Sequence, residues 1–280
     1  MLRRPDRIIV PQYAAPAGVS LLAASELLGE GRRAVAAQIV DLAVRRALTI
    51  APAEPVRTRR TGFVLTLRSL DGLGADEMDT MQALFPRGAV GESVVVKPRR
   101  NAALGRRLRR PHERSVARLV DQGGARRRRW HERAAVRASS RDQPLVPLPA
   151  AYPTIDHLWG IRDYIALAEK ERLAVLQSPG GAILRHDAGV DSQVLLLNEK
   201  LLPFAVLFGL EREWVRELGV QYEAAAGDLV GLEFAGDLVS LVADADVLEG
   251  LMLLGDLADL LVGVGRVAGS VVLFFVRLLN

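Results

Sequence analysis

The sequence predicts a mainly α protein with a small β ribbon: a winged-helix-like N-terminal part followed by a C-terminal helical bundle. Three observations carry this. Two segments near the N-terminus place apolar residues at helical spacing, and two short alternating stretches follow them. Three further helical stripes succeed one another between Ile155 and Tyr222. Proline and glycine punctuate the gaps between these segments.

In chain order, residues 1 to 17 form an extended lead-in marked by Pro5, Pro11 and Pro16. Ser20 is placed to cap a short helix through Leu28, which Gly29 and Gly31 end. A second helix runs from Arg32 to Leu48, with Val35, Ile39, Leu42 and Ala43 on its apolar face. Thr49 to Ala51 and Gly62 to Leu67 alternate as two short strands, joined by a charged turn between Pro52 and Pro55. Helix, helix and ribbon is a winged-helix outline spanning residues 1–70. If the second helix read DNA it would offer Ala36, Ala37, Gln38, Asp41, Arg45 and Arg46. Few of these can make a paired hydrogen bond to a base edge, and Asp41 repels phosphate. Protein contact is the better use of such a helix.

Residues 71–141 hold a helix between 71 and 86, built on Leu73, Met78, Met81, Leu84 and Phe85 and closed by Pro86. Val94 to Val96 make a short strand or extended stub. A basic tract follows: Lys97 to Arg141 contains sixteen Lys or Arg against three Asp or Glu, although the whole chain is only +4. Arg106, Arg107, Arg109, Arg110, Arg114 and Arg118 come first, then Arg126, Arg127, Arg128 and Arg129 before Trp130. Three readings are open: a solvated helical face, a contact with an anionic membrane leaflet, or non-specific binding of nucleic-acid phosphates. The last lacks interleaved aromatics, since only Trp130 is at hand for base stacking. Candidate anionic-surface contacts are therefore Arg106, Arg107, Arg109, Arg110 and Arg126, Arg127, Arg128, Arg129.

Residues 142–153 read as a linker, with Pro144, Pro147, Pro149 and Pro153. The block 154–227 then holds three helices. The first, Asp156 to Leu176, carries Leu158, Ile161, Ile165 and Ala168 on one face and stops before Pro179-Gly180-Gly181. The second, Ser192 to Phe208, carries Leu197, Leu201, Phe204 and Phe208, with Pro203 inside and Gly209 placed as a C-terminal stop. The third repeats Leu210, Trp214, Leu218 and Tyr222. Trp214 is the expected anchor, with Leu201, Phe204 and Phe208 around it, because a buried indole removes a large apolar area from water.

The run Leu201-Leu-Pro-Phe-Ala-Val-Leu-Phe-Gly-Leu-Glu211, with Trp214 three residues on, resembles the C-terminal region of a bacterial and archaeal predicted membrane protein family, domain of unknown function 2207. GIRDYIALAEKERL and QSPGGA agree with it, and VPQYAAPAGVSLLAASELLGEG with QIVDLAVRRALTI is similar to the start of the family's cytosolic part. Together these cover about half the chain. The resemblance implies a winged helix and a place at the cytoplasmic side of the cell membrane; the alternative is cytoplasmic. The family places glycine and an aromatic after the arginine of its LAVRG-type motif, where this chain has Arg46 and Ala47. Members also carry membrane spans after the basic region and an extracytoplasmic domain before the winged helix. Here Ala134 to Tyr152 has no apolar run near the roughly 20 residues a spanning helix needs, and the N-terminus lacks the apolar core of a secretory signal. The chain reads as a shortened form.

Residues 228–280 form an apolar tail. From Asp246 to Leu279, Glu249, Asp256, Gly263, Ser270 and Arg277 recur every seventh residue as one polar stripe. Packing as two core helices, lying in a membrane and binding a partner helix all remain open. No cofactor, metal or small-molecule substrate is inferred. Gly263 to Ala268 approaches a dinucleotide fingerprint, but too little chain follows for its second strand. His131-Glu132 opens like a zinc-protease motif, but Ala135 stands where the second histidine belongs. His112, His131, His157 and His186 have no ligand spacing and are expected at surfaces or helix ends. With no cysteine there is no disulfide or thiolate chemistry. The expectation is a non-enzymatic interaction or scaffold module beside an anionic membrane surface or a membrane protein. The rival is a nucleic-acid-binding protein that uses the arginines.

Overall fold

Ser20 opens the first helix: its hydroxyl accepts a hydrogen bond from the Ala23 amide at 3.1 Å, ahead of α1, Leu21–Leu28. That satisfies one of the donors a helix start leaves open. The computed structural model describes residues 16, 18–53, 62–96, 102–127, 145–166, 190–212, 214, 218, 247 and 250–252. After α1 come α2 (Gly31–Val44), β1 (Leu48–Pro52), β2 (Phe63–Leu67), α3 (Ala75–Leu84), β3 (Ser93–Val96) and α4 (Ala102–Asp121). Then follow β4 (Ala125–Arg127), β5 (Leu145–Pro147), a 3-10 turn (Pro149–Ala151), α5 (Tyr152–Ala166) and α6 (Val190–Phe208). The fold is mainly α with two small antiparallel sheets.

The ribbon gains a strand. β1, β2 and β3 pair antiparallel in that order, with Ile50 opposite Leu65 and Leu65 opposite Val94. Phe63, Leu65 and Leu67 point into the core while Val64 and Thr66 alternate outward. The Val94 to Val96 stub is thus the third strand of the wing.

Four helices finish on one left-handed residue followed by a backbone bond reaching five residues back. Glycine fills that place at Gly29 (φ 77°), Gly123 (φ 70°) and Gly209 (φ 73°). The returning bonds are Glu30 N to Ser25 O, 2.8 Å, Gly124 N to Leu119 O, 3.0 Å, and Leu210 N to Ala205 O, 2.9 Å. At the end of α2 the same turn is made by Arg46 (φ 59°), with Ala47 N donating to Leu42 O at 2.9 Å. A side chain in this conformation costs about 1 kcal/mol or more relative to glycine.

Helix α2 lies at the centre. Residues 34–40 are all buried. The expected face of Val35, Ile39, Leu42 and Ala43 is right, but Ala36, Ala37 and Gln38, expected outward, are buried as well. The main packing partner of α2 is α6. The physical reason is composition: between Ala34 and Val40 only Gln38 is polar, so little polar surface is available to face water. One hydrophobic cluster consequently joins α1, α2, the wing, α3, α5, α6, Trp214, Leu218, Val247 and Leu251.

The proline-marked stretch 142–153 is also corrected in its described part. Leu145–Pro147 pairs with Ala125–Arg127 as β5 against β4. Pro149 begins the 3-10 turn and α5 starts at Tyr152, four residues before the expected Asp156. Proline needs no amide partner at an edge strand or a helix start. A second small cluster of Leu27, Val116, Leu119, Ala125, Leu145 and Ala151 packs beneath.

Trp214 is fully buried, edge-on to Tyr164 of α5 with ring centroids 6.3 Å apart. Leu201 and Phe204 are buried, and Phe208 is half-buried with its ring 6.2 Å from that of Trp159. Arg33 of α2 ties the far end of α6: it donates to Val206 O and pairs with Glu211, both at 3.1 Å. A cation there suits the negative end of the helix. Gly209 lies under this contact, and a Cβ on it would stand 3.2 Å from the Arg33 guanidinium carbon. The expected third helix is represented by Glu211, Arg212, Trp214 and Leu218, all helical. The tail enters the core at its start: Val247 and Leu251 are buried, and a Cβ on Gly250 would meet the Phe63 ring at 2.8 Å. Residues 167–189 and 253–280 lie outside the described residues. Among the described residues, no helix is long and apolar enough to cross a membrane.

Candidate anion-contact surface

Helix α4 is amphipathic by charge. Leu104, Leu108, Pro111, Ser115, Val116 and Leu119 face inward. Pro111 has no amide to give the carbonyl of Arg107, four residues back. The first turn holds no acid, so the arginines that follow it lack the compensation a helix start usually carries.

The inner flank is matched with acids. Asp76, in the first turn of α3, accepts hydrogen bonds from the Ser20 hydroxyl, from the Ser115 hydroxyl at 2.7 Å and from Arg118 Nε at 2.7 Å. Arg118 Nη2 bonds Asp76 and also Asp79 at 2.6 Å, and Arg114 Nη1 bonds Asp79 at 2.5 Å. The paired carboxylates push the Arg118 guanidinium up despite the opposing cost of its burial, the largest single influence on it. On the other side His112 meets Glu26 of α1 at 2.6 Å. His112, expected at a surface or helix end, is instead part-buried in mid-helix; His157 is half-buried within α5. Arg109 is half-buried and pairs with Glu113 at 2.7 Å.

The outer face differs. Arg106, Arg107 and Arg110 are exposed, and among the described residues none has an acidic partner. Arg106 donates to its own helix at Ala102 O, 3.3 Å. Of the second basic run, Arg126 is half-buried and Arg127 exposed, both on β4, while Arg128 and Arg129 lie outside the described residues. The tract is therefore not one patch. β4 follows the far end of α4, about 22 Å of helix from Arg106.

The DNA-reading alternative fares differently on this geometry. Ala36, Ala37 and Gln38 are buried, and α2 packs chiefly against α6. Gln38 Nε2 stands 3.5 Å from Asp41, and among the described residues its Oε1 has no hydrogen-bond partner. Arg45 is committed to Asp41 at 3.6 Å, to Glu77 at 2.5 Å and to Gly72 O at 2.7 Å. Burial pushes the Asp41 carboxyl up to about 6 against the pull of Arg45, and nearby Glu77 adds to the rise. On α6, burial pushes Glu199 up to about 7 against Arg46 and Lys200. These groups line a packed seam between helices. Among the described residues, no group of three or more His, Asp or Glu could hold a metal ion.

Sequence reasoning missed Asp76, Asp79, Ser115 and Glu26, and the bond from Ser20 to Asp76. A signal existed in the spacing of about one helical turn within each pair, Asp76 with Asp79 and Arg114 with Arg118. Their separation of 35 to 42 residues along the chain hid the pairing. No protein-family model, curated protein or solved structure matches this chain.

Proposed function

We propose that this protein is a non-enzymatic interaction module that rests against an anionic membrane surface at its cytoplasmic side. The observation that carries the reading is the trio Arg106, Arg107 and Arg110, exposed on α4 and without acidic partners among the described residues. Like charges one helical turn apart oppose each other. A dense array of anions outside the molecule offsets that repulsion, and positive residues concentrate on the cytoplasmic side of membranes. The similarity of residues 201–214 to a membrane protein family is a second support. The fully buried Trp214 suits a rigid scaffold.

Nucleic-acid binding is the competing use of the same cations. The covered face of α2 weighs against it, because that helix would have to leave α6 to enter a groove. Flotation with phosphatidylserine-containing and neutral vesicles, beside a duplex-DNA shift assay, separates the two across a salt series. The expected result is flotation with the anionic vesicles alone, weakening as salt rises. A DNA shift without flotation overturns the reading.

A further inference from the structure

The arginines of α4 do not hold equal status. Arg114 and Arg118 are drawn back onto Asp76 and Asp79 of α3, with Arg114 Nη1 2.5 Å from Asp79. Arg109 is turned to Glu113. Arg106, Arg107 and Arg110 have no such claim on them. Helical spacing puts these three on one side, Arg106 and Arg110 about 6 Å apart and Arg107 beside them. Toward the C-terminal end the same outer face carries Glu113 and Asp121, both exposed.

We infer that Arg106, Arg107 and Arg110 meet anionic lipid headgroups, while Arg114 and Arg118 are held out of the contact by the α3 carboxylates. This rests on the membrane-surface reading above and deepens it. A helix end with three adjacent cations and acids further along suits a flat, phosphate-dense surface touched by one part of α4. It does not suit a long polyanion lying along the whole helix, which would meet Glu113 and Asp121. Among its exposed described residues α4 also has no aromatic side chain for base stacking.

Asp79 then sets the strength of the contact. Removing its charge frees Arg114, whose side chain is already 56% exposed, to join the outer face. The allocation of arginines between clamp and surface limits membrane affinity.

The test compares two substitutions that remove one positive charge from α4 with one that removes a negative charge from α3. Partitioning onto phosphatidylserine-containing vesicles is measured for the full chain. Arg107→Gln is expected to lose about fivefold, the usual worth of a basic residue near an anionic leaflet. Arg114→Gln is expected to lose less than about twofold. Asp79→Asn is expected to gain up to about fivefold, and adding Arg114→Gln to it should cancel the gain. Equal losses from Arg107→Gln and Arg114→Gln overturn the allocation. So does an Asp79→Asn protein that melts as the wild type does yet binds no tighter. If Asp79→Asn fails to fold, the Arg107 and Arg114 pair still decides. Wild-type protein that ignores anionic vesicles defeats the membrane reading itself. Unequal losses seen on duplex DNA but not on vesicles assign the same arginines to a different polyanion and overturn the lipid contact.

Discussion

Helices α2 and α4 are both rich in small or basic residues, yet they meet their surroundings in opposite ways. In α2, residues 34–40 are buried without a break, and even Gln38 is enclosed. In α4, apolar residues seal one side, acids from α1 and α3 tie the flanks, and three arginines are left at the surface. The contrast underlies the proposed contact surface. A winged-helix outline directs attention to the helix before the wing, but that helix is the hub of the core. The proposed contact uses Arg106, Arg107 and Arg110 of α4, the helix after the wing.

The sharpest challenge to this contrast is a cavity in α2. Ile39→Ala is expected to cost about 2–5 kcal/mol, because Ile39 is fully enclosed where α2 meets its neighbours. Denaturant unfolding followed by tryptophan fluorescence and by circular dichroism should move together, as one cooperative core requires. A tryptophan transition that ignores Ile39→Ala would show that the Trp214 region stands apart, and α2 would no longer be the hub.

The inner flank of α4 comes next. Asp76→Ala removes the acceptor shared by Ser20, Ser115 and Arg118. A loss of about 2–3 kcal/mol is expected, reduced from that of a buried pair because Arg118 is partly exposed. A loss within about 0.5 kcal/mol, typical of a plain surface change, would mean that the clamp does not hold α4.

The smallest effect concerns the seam between α2 and α6. Glu199 is raised to about 7 by burial, so between its usual range near 4.5 and about 7 the folded protein binds more protons than the unfolded chain. Stability contributed by this group therefore falls as pH rises through that window. Asp41, raised to about 6, slopes the same way. Glu199→Gln should match the wild type near pH 4.5, melt higher at pH 8, and leave a shallower pH slope between. A melting temperature at pH 8 below that of the wild type would show that the Glu199 charge is stabilising where it sits.

Much of the local structure was legible in the chain. Ser20, Gly29 and Gly209 mark helix ends through their own conformational chemistry, and they act there as expected. Trp214, Leu201 and Phe204 are buried as their helical spacing implied. The candidate surface was legible only as a run of arginines. Sequence could not divide them, because the acids that claim Arg114 and Arg118 come from another helix. The left-handed turn at Arg46 was not legible from its side chain, since an arginine carries no mark of such a turn.

Helix periodicity, strand alternation and the stops at glycine are properties of neighbours along the backbone, so residue order was enough to set them. The burial of Ala36, Ala37 and Gln38, the pairing of β4 with β5 across the proline stretch, and the fate of each arginine depend on which elements lie side by side. An alanine suits a core or a surface, and an arginine suits an acid or a partner. The choice falls to neighbours that only folding brings within reach.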